Sequence, residues 1–283
     1  MIEAIHHHGP LSSIYLPEFR KPHGVSRQVA VRRLNFLFNE TRAVDGGAYL
    51  SRPLHQTRTE YAHSKHLVYD LTPASEKLLK RLGKWSASAP SSRNPWTHAF
   101  MVSSITASID LACRRAGLSF IPGHELLDRA ETTLRQTVGF KWKGRELTVD
   151  LTPDALFAID YGGKYRVFMV EADRGTEPIL TSTASRKSIY RNLLQYRAFV
   201  GEGVYQKAYK LQARAVVLNV FPSQTRMESV LKMVEEESRA NSYMLFQTVD
   251  DFGIVFRPPQ IFHHLFLRPW KRAGRDPFYI NLP

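Results

Sequence analysis

The sequence predicts an α/β chain, α+β overall, in which a small basic unit precedes a larger mixed sheet flanked by helices. The first third reads as helix, strand, basic loop, strand and helix. The remainder reads as strand, strand, helix, strand, helix and strand, which indicates a mixed sheet with helices on its faces. A length of 283 residues with 43% apolar residues suits one large domain or two modest ones.

The charge balance favours a polyanionic partner. Lys and Arg number 39 against 26 Asp and Glu, a formal net charge of +13. Such a surplus attracts nucleic acid most often and an anionic membrane surface less often. Per residue, the N-terminal third is about twice as basic as the rest, so we expect the phosphate contacts to lie there.

Composition excludes several classes of protein. No apolar run approaches the roughly 20 residues that span a bilayer, and the N-terminus lacks a secretory signal pattern. The single cysteine, Cys113, excludes internal disulfides and cysteine-based metal sites. The stretch His6–His8 has no carboxylate framework, so we expect no functional metal there. A cytoplasmic, nucleoid-associated protein without a membrane partner is the resulting expectation.

The N-terminal unit has the pattern of a winged helix-turn-helix over residues 25–83, after an arm over residues 1–24 that lacks a clear period. In this interpretation the helix capped by Ser26 enters the major groove of double-stranded DNA, and the loop over residues 56–65 is the wing. The alternative is a small module whose basic face is only solvated. The residues expected to bind DNA are Arg27, Gln28, Arg32, Arg33, Arg58 and Lys65.

Three further segments follow. Residues 84–97 are rich in Ser, Pro and Ala, which predicts a linker. Residues 98–256 are predicted to form the second domain, with a continuously apolar strand over residues 213–221 that is typical of a sheet covered on both faces. Residues 257–283 form a basic aromatic tail that could clamp a nucleic acid strand or cover the edge of the sheet. The tail residues suited to a clamp are Trp270, Lys271, Arg272 and Arg275.

Two carboxylates flank a predicted hairpin in the second domain. Asp154 opens one strand and Glu171 ends the next, so both can lie at one edge of the sheet. Carboxylates that close repel each other unless a cation neutralises them, and Mg²⁺ is the usual cation. We therefore predict a metal site of Asp154, Glu171 and Asp173, with Lys187 as a fourth catalytic residue. The alternative is a structural ion-pair knot in which Arg174 bridges the acids.

The carboxylate spacing, the strand order and the following helix resemble the PD-(D/E)xK phosphodiesterase core. The resemblance implies that Asp154 and Glu171 hold the metal and that a lysine two residues after Glu171 positions the attacking water. Asp173 occupies that position instead, so Arg174 or Lys187 would have to replace the lysine. Looser elements of the resemblance are Gln195 and Tyr196 on the helix, and Glu125 or Glu131 as an upstream acid.

Residues 25–200 as a whole resemble the bacterial replication-relaxation family, most specifically in the segment EADRGTEP. The resemblance implies a DNA-binding protein of a plasmid or mobile element, acting in replication, transfer or transcriptional control, with a nuclease-like second domain. Homodimers and replication or transfer proteins are expected as further partners. Two alternatives stay open: a Mg²⁺-dependent DNA endonuclease, and a dimerisation or partner-docking protein without a catalytic role.

Overall fold

The computed structural model describes residues 1–20, 24–40, 44–53, 66–90, 96–183, 186–236, 242–249 and 260–283. The helices are α1 (Ile2–His8), α2 (Tyr15–Glu18), α3 (Arg27–Asn39), α4 (Pro73–Arg81), α5 (Trp96–Arg115), α6 (Gly123–Ala130), α7 (Ile189–Tyr196), α8 (Val204–Ala208), α9 (Gln224–Glu236) and α10 (His264–Leu267), with a π-helical turn at Arg197–Gly201. The strands are β1 (Leu11–Ser12), β2 (Leu50–Ser51), β3 (Val68–Leu71), β4 (Ser119–Pro122), β5 (Gln136–Trp142), β6 (Arg145–Leu151), β7 (Ala155–Asp160), β8 (Tyr165–Ala172), β9 (Arg214–Phe221), β10 (Met244–Thr248), β11 (Trp270–Arg272) and β12 (Arg275–Phe278).

The predicted mixed sheet is confirmed. Seven strands run in the order β12-β11-β10-β9-β8-β7-β4, with β8, β9 and β10 parallel and the outer neighbours antiparallel. Every residue of β9 after the first is buried, as its continuous apolar run predicts for a strand covered on both faces. One apolar cluster joins the sheet to α6, α7, α9 and the β5–β6 hairpin, and the other joins it to α5 and α10.

The C-terminal tail extends the sheet. Strands β11 and β12 add to its edge beyond β10. Trp270 is fully buried, and its Nε1 donates to the carbonyl of Leu265 at 2.7 Å. The expectation that Trp270 stacks on a nucleic acid strand is therefore wrong, because its ring has no exposed face. The alternative, a tail that covers the sheet edge, is the arrangement observed.

The first 20 residues are folded, unlike the arm expected from sequence. They form α1, β1 and α2, and β1 pairs with β3 in a small sheet of order β1-β3-β2. The apolar period was missed because His6 and His8, which read as polar, are buried positions of α1. His6 stacks on Trp85, with 4.7 Å between the ring centroids, and accepts a hydrogen bond from the backbone of Ser86. The first part of the predicted linker thus packs on α1; residues 91–95 lie outside the described chain.

Two of the helices that carry candidate site residues, α3 and α7, begin at serine N-caps. Ser26 accepts a hydrogen bond from the backbone of Val29 at the start of α3, as predicted from sequence. Ser188 does the same for Arg191 at the start of α7. Helix α5 begins at Trp96, two residues before the predicted start. No helix in the described part of the chain combines the length and hydropathy needed to cross a membrane.

A buried carboxylate connects the N-terminal residues to α5. Asp110 lies in the middle of α5 and is almost fully buried. Its Oδ2 is 3.0 Å from His8 Nε2, and its Oδ1 is 2.6 Å from Arg114 Nε. Burial acts to raise the pKa of Asp110, but the hydrogen bonds and charges of His8 and Arg114 outweigh it and hold the pKa below its usual value. The carboxylate is therefore ionised and paired at neutral pH.

Removing this carboxylate should destabilise the chain strongly. Asp110→Ala leaves His8 and Arg114 without their buried partner, and breaking such a pair costs about 3 kcal/mol or more. Urea denaturation should report this loss in the free energy of unfolding. Glu146→Ala is the matched control, since Glu146 and its partner Lys141 are both exposed and its loss should cost less than about 0.5 kcal/mol. Equal costs for the two variants would contradict the role given to Asp110.

Candidate functional site

The β7–β8 hairpin sets two carboxylates side by side. Asp154 immediately precedes β7, and its backbone N–H donates to the carbonyl of Val170 at 2.9 Å. Its Oδ2 accepts a hydrogen bond from the backbone N–H of Ala172 at 2.8 Å. Glu171 lies between these two partners on β8, so the antiparallel ladder holds the Asp154 carboxylate beside it. The structure thus brings together the two acids that the sequence analysis paired.

A histidine that sequence reasoning missed contacts Asp154. His98 lies in the first turn of α5, and its Nε2 is 2.7 Å from Asp154 Oδ1. Its Nδ1 is buried and has no hydrogen-bond partner among the described residues. No spacing rule links two residues that far apart in the sequence; the packing of α5 against β7 and β8 brings them together.

Helix α7 supplies both hydrogen-bond donors to Glu171. Asn192 Nδ2 donates to Glu171 Oε2 at 2.7 Å, and the hydroxyl of Tyr196 donates to Oε1. Asn192 and Tyr196 are four residues apart and so share one face of the helix. That spacing was the available signal for their role, but from sequence Tyr196 was grouped with its neighbour Gln195 instead.

The environment disfavours the charged form of Glu171. Burial raises the pKa of Glu171 well above its usual range, and the adjacent Asp154 charge raises it further. The hydrogen bonds from Tyr196 and Asn192 oppose this rise without cancelling it. Burial and the negative charge of Glu171 also raise the pKa of Tyr196, which keeps its hydroxyl a donor. A carboxylate in this state gains most from a proton or a cation.

Asp173 is held by a different partner from the one expected. Its carboxylate forms an ion pair with Arg226 of α9, with a second contact of 3.3 Å from Nη2 to Oδ1. The backbone of Gly175 also donates to it, at 2.9 Å. Arg174, the expected bridge between the acids, points elsewhere and contacts the Thr97 hydroxyl at 3.4 Å. Arg174 therefore does not form the expected bridge between the acids; Asp173 pairs with Arg226 instead, which nothing in the sequence indicated.

All four predicted catalytic residues line one cavity of about 540 Å³. Its walls carry both acidic and cationic side chains, and the loop between β8 and α7 contributes residues of both signs. The acidic and histidine lining residues are His98, Asp150, Asp154, Glu171, Asp173 and Glu177. The cationic ones are Arg174, Lys187 and Arg191. Glu125 and Glu131, the alternative upstream acids, do not line it.

The acid centre of this cavity is a pair, not a trio. Oxygen atoms of Asp154, Glu171 and Asp173 do not all come within 4.8 Å of one another in the described chain. Two adjacent carboxylates, one with a raised pKa, nevertheless fit a Mg²⁺ ion that keeps several waters. Asp154 and Glu171 are the residues that would hold such an ion, whereas the carboxylate of Asp173 forms an ion pair with Arg226.

The predicted DNA-binding residues on α3 are exposed. The helix buries Ala30, Leu34 and Leu37 and turns its other face outward. That outer face carries Arg27, Gln28, Arg32 and Arg33, together with the exposed apolar residues Val29, Val31 and Phe36. The last two predicted contacts, Arg58 and Lys65, and the predicted wing lie outside the described residues.

Comparison with known proteins gives one match. A family model described as Replication-relaxation matches residues 2–214. The match confirms the resemblance predicted from residues 25–200 and extends it to α1, β1 and α2. No match was found among the curated proteins or among the solved structures.

Replacing Glu171 should change how stability depends on pH. Because the folded pKa of Glu171 is raised above its ordinary value of 4.5, the folded chain keeps a proton that the unfolded chain releases. This stabilisation is fully present below pH 4.5 and is lost as the pH rises through the folded pKa. As the pH rises above 4.5, the free energy of unfolding should therefore fall less in Glu171→Gln than in wild type. Urea denaturation over a pH series measures this difference.

Glu131→Gln is the matched control for that series. Glu131 is exposed and does not line the cavity, so this variant should follow the wild-type pH profile. Identical profiles for wild type and Glu171→Gln would show that Glu171 is not strained by its surroundings.

Proposed function

Because the chain belongs to the replication-relaxation family, we propose that it is a DNA-binding protein of a plasmid or mobile element. It acts in replication, transfer or transcriptional control, and double-stranded DNA is its main partner. Its second domain is a nuclease-like scaffold whose acid pair has lost the lysine expected two residues after Glu171.

The order of the N-terminal elements supports this proposal. The elements follow the order helix, strand, helix, helix, strand and strand, and the three strands form a sheet of order β1-β3-β2. This order and this sheet match the arrangement of a winged helix-turn-helix. Its second and third helices correspond to α2 and α3, so α3 is the recognition helix. The helix-turn-helix therefore includes the residues that sequence analysis assigned to an arm.

The surface of α3 carries the proposal. Two turns of this helix expose Arg27, Gln28, Arg32 and Arg33, while its opposite face packs into the N-terminal core. Arginine and glutamine side chains reach phosphates and base edges in the major groove. Phe36 is half exposed, with the Arg33 guanidinium 5.1 Å from its ring centroid. Apolar side chains in such a position contact thymine methyl groups.

DNA affinity should fall when the α3 arginines are removed. The double variant Arg32→Ala with Arg33→Ala loses about two phosphate contacts, so binding should weaken and the salt dependence should flatten by about two charges. Fluorescence anisotropy of a labelled duplex over a salt series measures both.

The control is Lys141→Ala with Lys232→Ala, which removes the same charge from exposed positions of the second domain. Equal losses in both double variants would show that charge alone, and not α3, holds DNA. If wild type shifts no DNA at about 0.1 M salt, where electrostatic binding is still strong, the partner-docking function is the better one.

The acid pair favours a second candidate function, a Mg²⁺-dependent DNA endonuclease. Asp154 and Glu171 would hold the ion, which supplies an activated water for attack on a phosphodiester. His98 orients Asp154, and Tyr196 and Asn192 orient Glu171. Lys187 and Arg174 line the same cavity and are available to contact the phosphate. The lysine position of the family holds Asp173, an acid that is paired with Arg226, and this is why the endonuclease function ranks second.

A cleavage assay separates the two functions. The scaffold function predicts that wild type binds DNA but cuts no supercoiled, single-stranded or branched substrate with Mg²⁺ or Mn²⁺. The endonuclease function predicts cutting that Glu171→Gln abolishes and that Glu131→Gln, a change outside the cavity, preserves. Cutting that survives in Glu171→Gln would come from a contaminant.

A further inference from the structure

The structure brings together two histidines and a glutamate from distant parts of the sequence. His7 lies in α1, and His124 and Glu125 lie in the first turn of α6. One ligand-type atom from each lies within 4.8 Å of the other two. Among the described residues, this is the one cluster of three or more metal-ligating side chains that is so close. The sequence showed no carboxylate beside His6–His8; α6 supplies it across the fold.

Among the residues that the structure describes, His7 is the one of the three histidines whose ring makes no hydrogen bond. His6 Nε2 accepts the backbone N–H of Ser86 at 3.0 Å. His8 uses both ring nitrogens, one with Thr106 and the other with Asp110. The ring of His7 makes no hydrogen bond to any residue that the structure describes, although it lies 5.1 Å from the ring of His124, centroid to centroid. His6 and His8 thus hold α1 in place, and His7 is left facing the cluster.

The buried ring of His124 has an unsatisfied nitrogen. His124 is only 6% exposed, and its Nδ1 finds no hydrogen-bond partner in the described chain. A buried polar atom without a partner is costly, and a bound ion is one of the explanations that such an atom calls for. Glu125 remains half accessible and makes only a 3.5 Å contact with Arg129, so its carboxylate can turn to a stronger partner.

Both imidazoles are in the form that binds metal. Burial and, to a smaller extent, the neighbouring histidines lower the pKa of His7 to about 3. Burial and, to a smaller extent, His6 lower the pKa of His124 to about 4. At neutral pH each ring is therefore uncharged and offers a lone pair.

We propose that His7, His124 and Glu125 form a binding site for a transition-metal ion of the zinc class. Two imidazoles and one carboxylate suit such ions, and a water completes a four-coordinate shell. The negative charge of Glu125 offsets part of the charge of the ion. The site is distinct from the acid pair, because none of its residues lines the cavity around Asp154 and Glu171.

A metal here would connect the proposed DNA-binding unit to the second domain. His7 belongs to α1 of the winged helix-turn-helix, whereas α6 packs on β7, next to Asp154. The start of α6 is held tightly, since a Cβ at Gly123 would lie 2.2 Å from the carbonyl oxygen of Leu156. The ion would therefore fix α1 to a rigid part of the sheet.

Zinc binding to the full chain tests the proposal. After metal removal, titration calorimetry with Zn²⁺ alone should give one tight site per chain, and Co²⁺ should give the absorption spectrum of a four-coordinate ion. The tight site should persist in Glu171→Gln, which removes the acid pair as a competitor. His7→Ala and Glu125→Gln should each weaken it by at least about tenfold, the loss typical of altered metal sites.

Two matched controls are available. Glu131→Gln changes an exposed acid at the other end of α6, and His263→Ala changes a histidine that contacts Arg115. Both should bind Zn²⁺ as wild type does. Glu125 is partly exposed, so Glu125→Gln keeps the test valid if His7→Ala fails to fold. The proposal is overturned if wild type shows no tight site, or if His7→Ala and Glu125→Gln bind as tightly as the controls.

Discussion

The candidate site depends on one unfavourable interaction, the electrostatic repulsion between the carboxylates of Asp154 and Glu171. The antiparallel register of β7 and β8 places the two acids together, and the burial of Glu171 raises the free-energy cost of its charge. His98, Asn192 and Tyr196 reduce the cost by hydrogen bonding, but they leave the pKa of Glu171 well above its ordinary range. Acid pairs with a raised pKa occur in functional sites and also in structural networks, which is why the endonuclease stands as the second candidate function.

The surrounding structure explains why such a pair can persist. Strands β7, β8 and β9 are apolar along most of their length and are covered on both faces, so the sheet is stable enough to carry local strain. The N-terminal residues add to this stability through the buried contact of His8 with Asp110. This contact packs the proposed DNA-binding unit against helix α5 of the acid-pair domain. The two units are therefore not joined by a linker alone.

Much of the fold could be predicted from local pattern. The apolar runs of β7, β8 and β9 and the capping residue of α3 were recognisable because their signals lie within a few residues. The folding of residues 1–20 was not, because histidines fill the buried positions of α1.

The candidate site was predictable only where its residues share one hairpin. Asp154 and Glu171 could be paired because a short turn joins their strands. The contacts of His98 with Asp154 and of Arg226 with Asp173 depend on the packing of helices far away in the sequence. The grouping of His7 with His124 and Glu125 has the same origin, so no spacing rule could have found it.

The most direct test of this account is the pKa of Glu171 itself. Carbon-13 NMR of the side-chain carboxyl groups, assigned with Glu171→Gln, follows this titration in the folded protein with and without Mg²⁺. The account predicts a pKa well above 4.5 without the ion and a lower one when Mg²⁺ is added, because the cation favours the charged form. A pKa at or below 4.5 that Mg²⁺ does not move would contradict it.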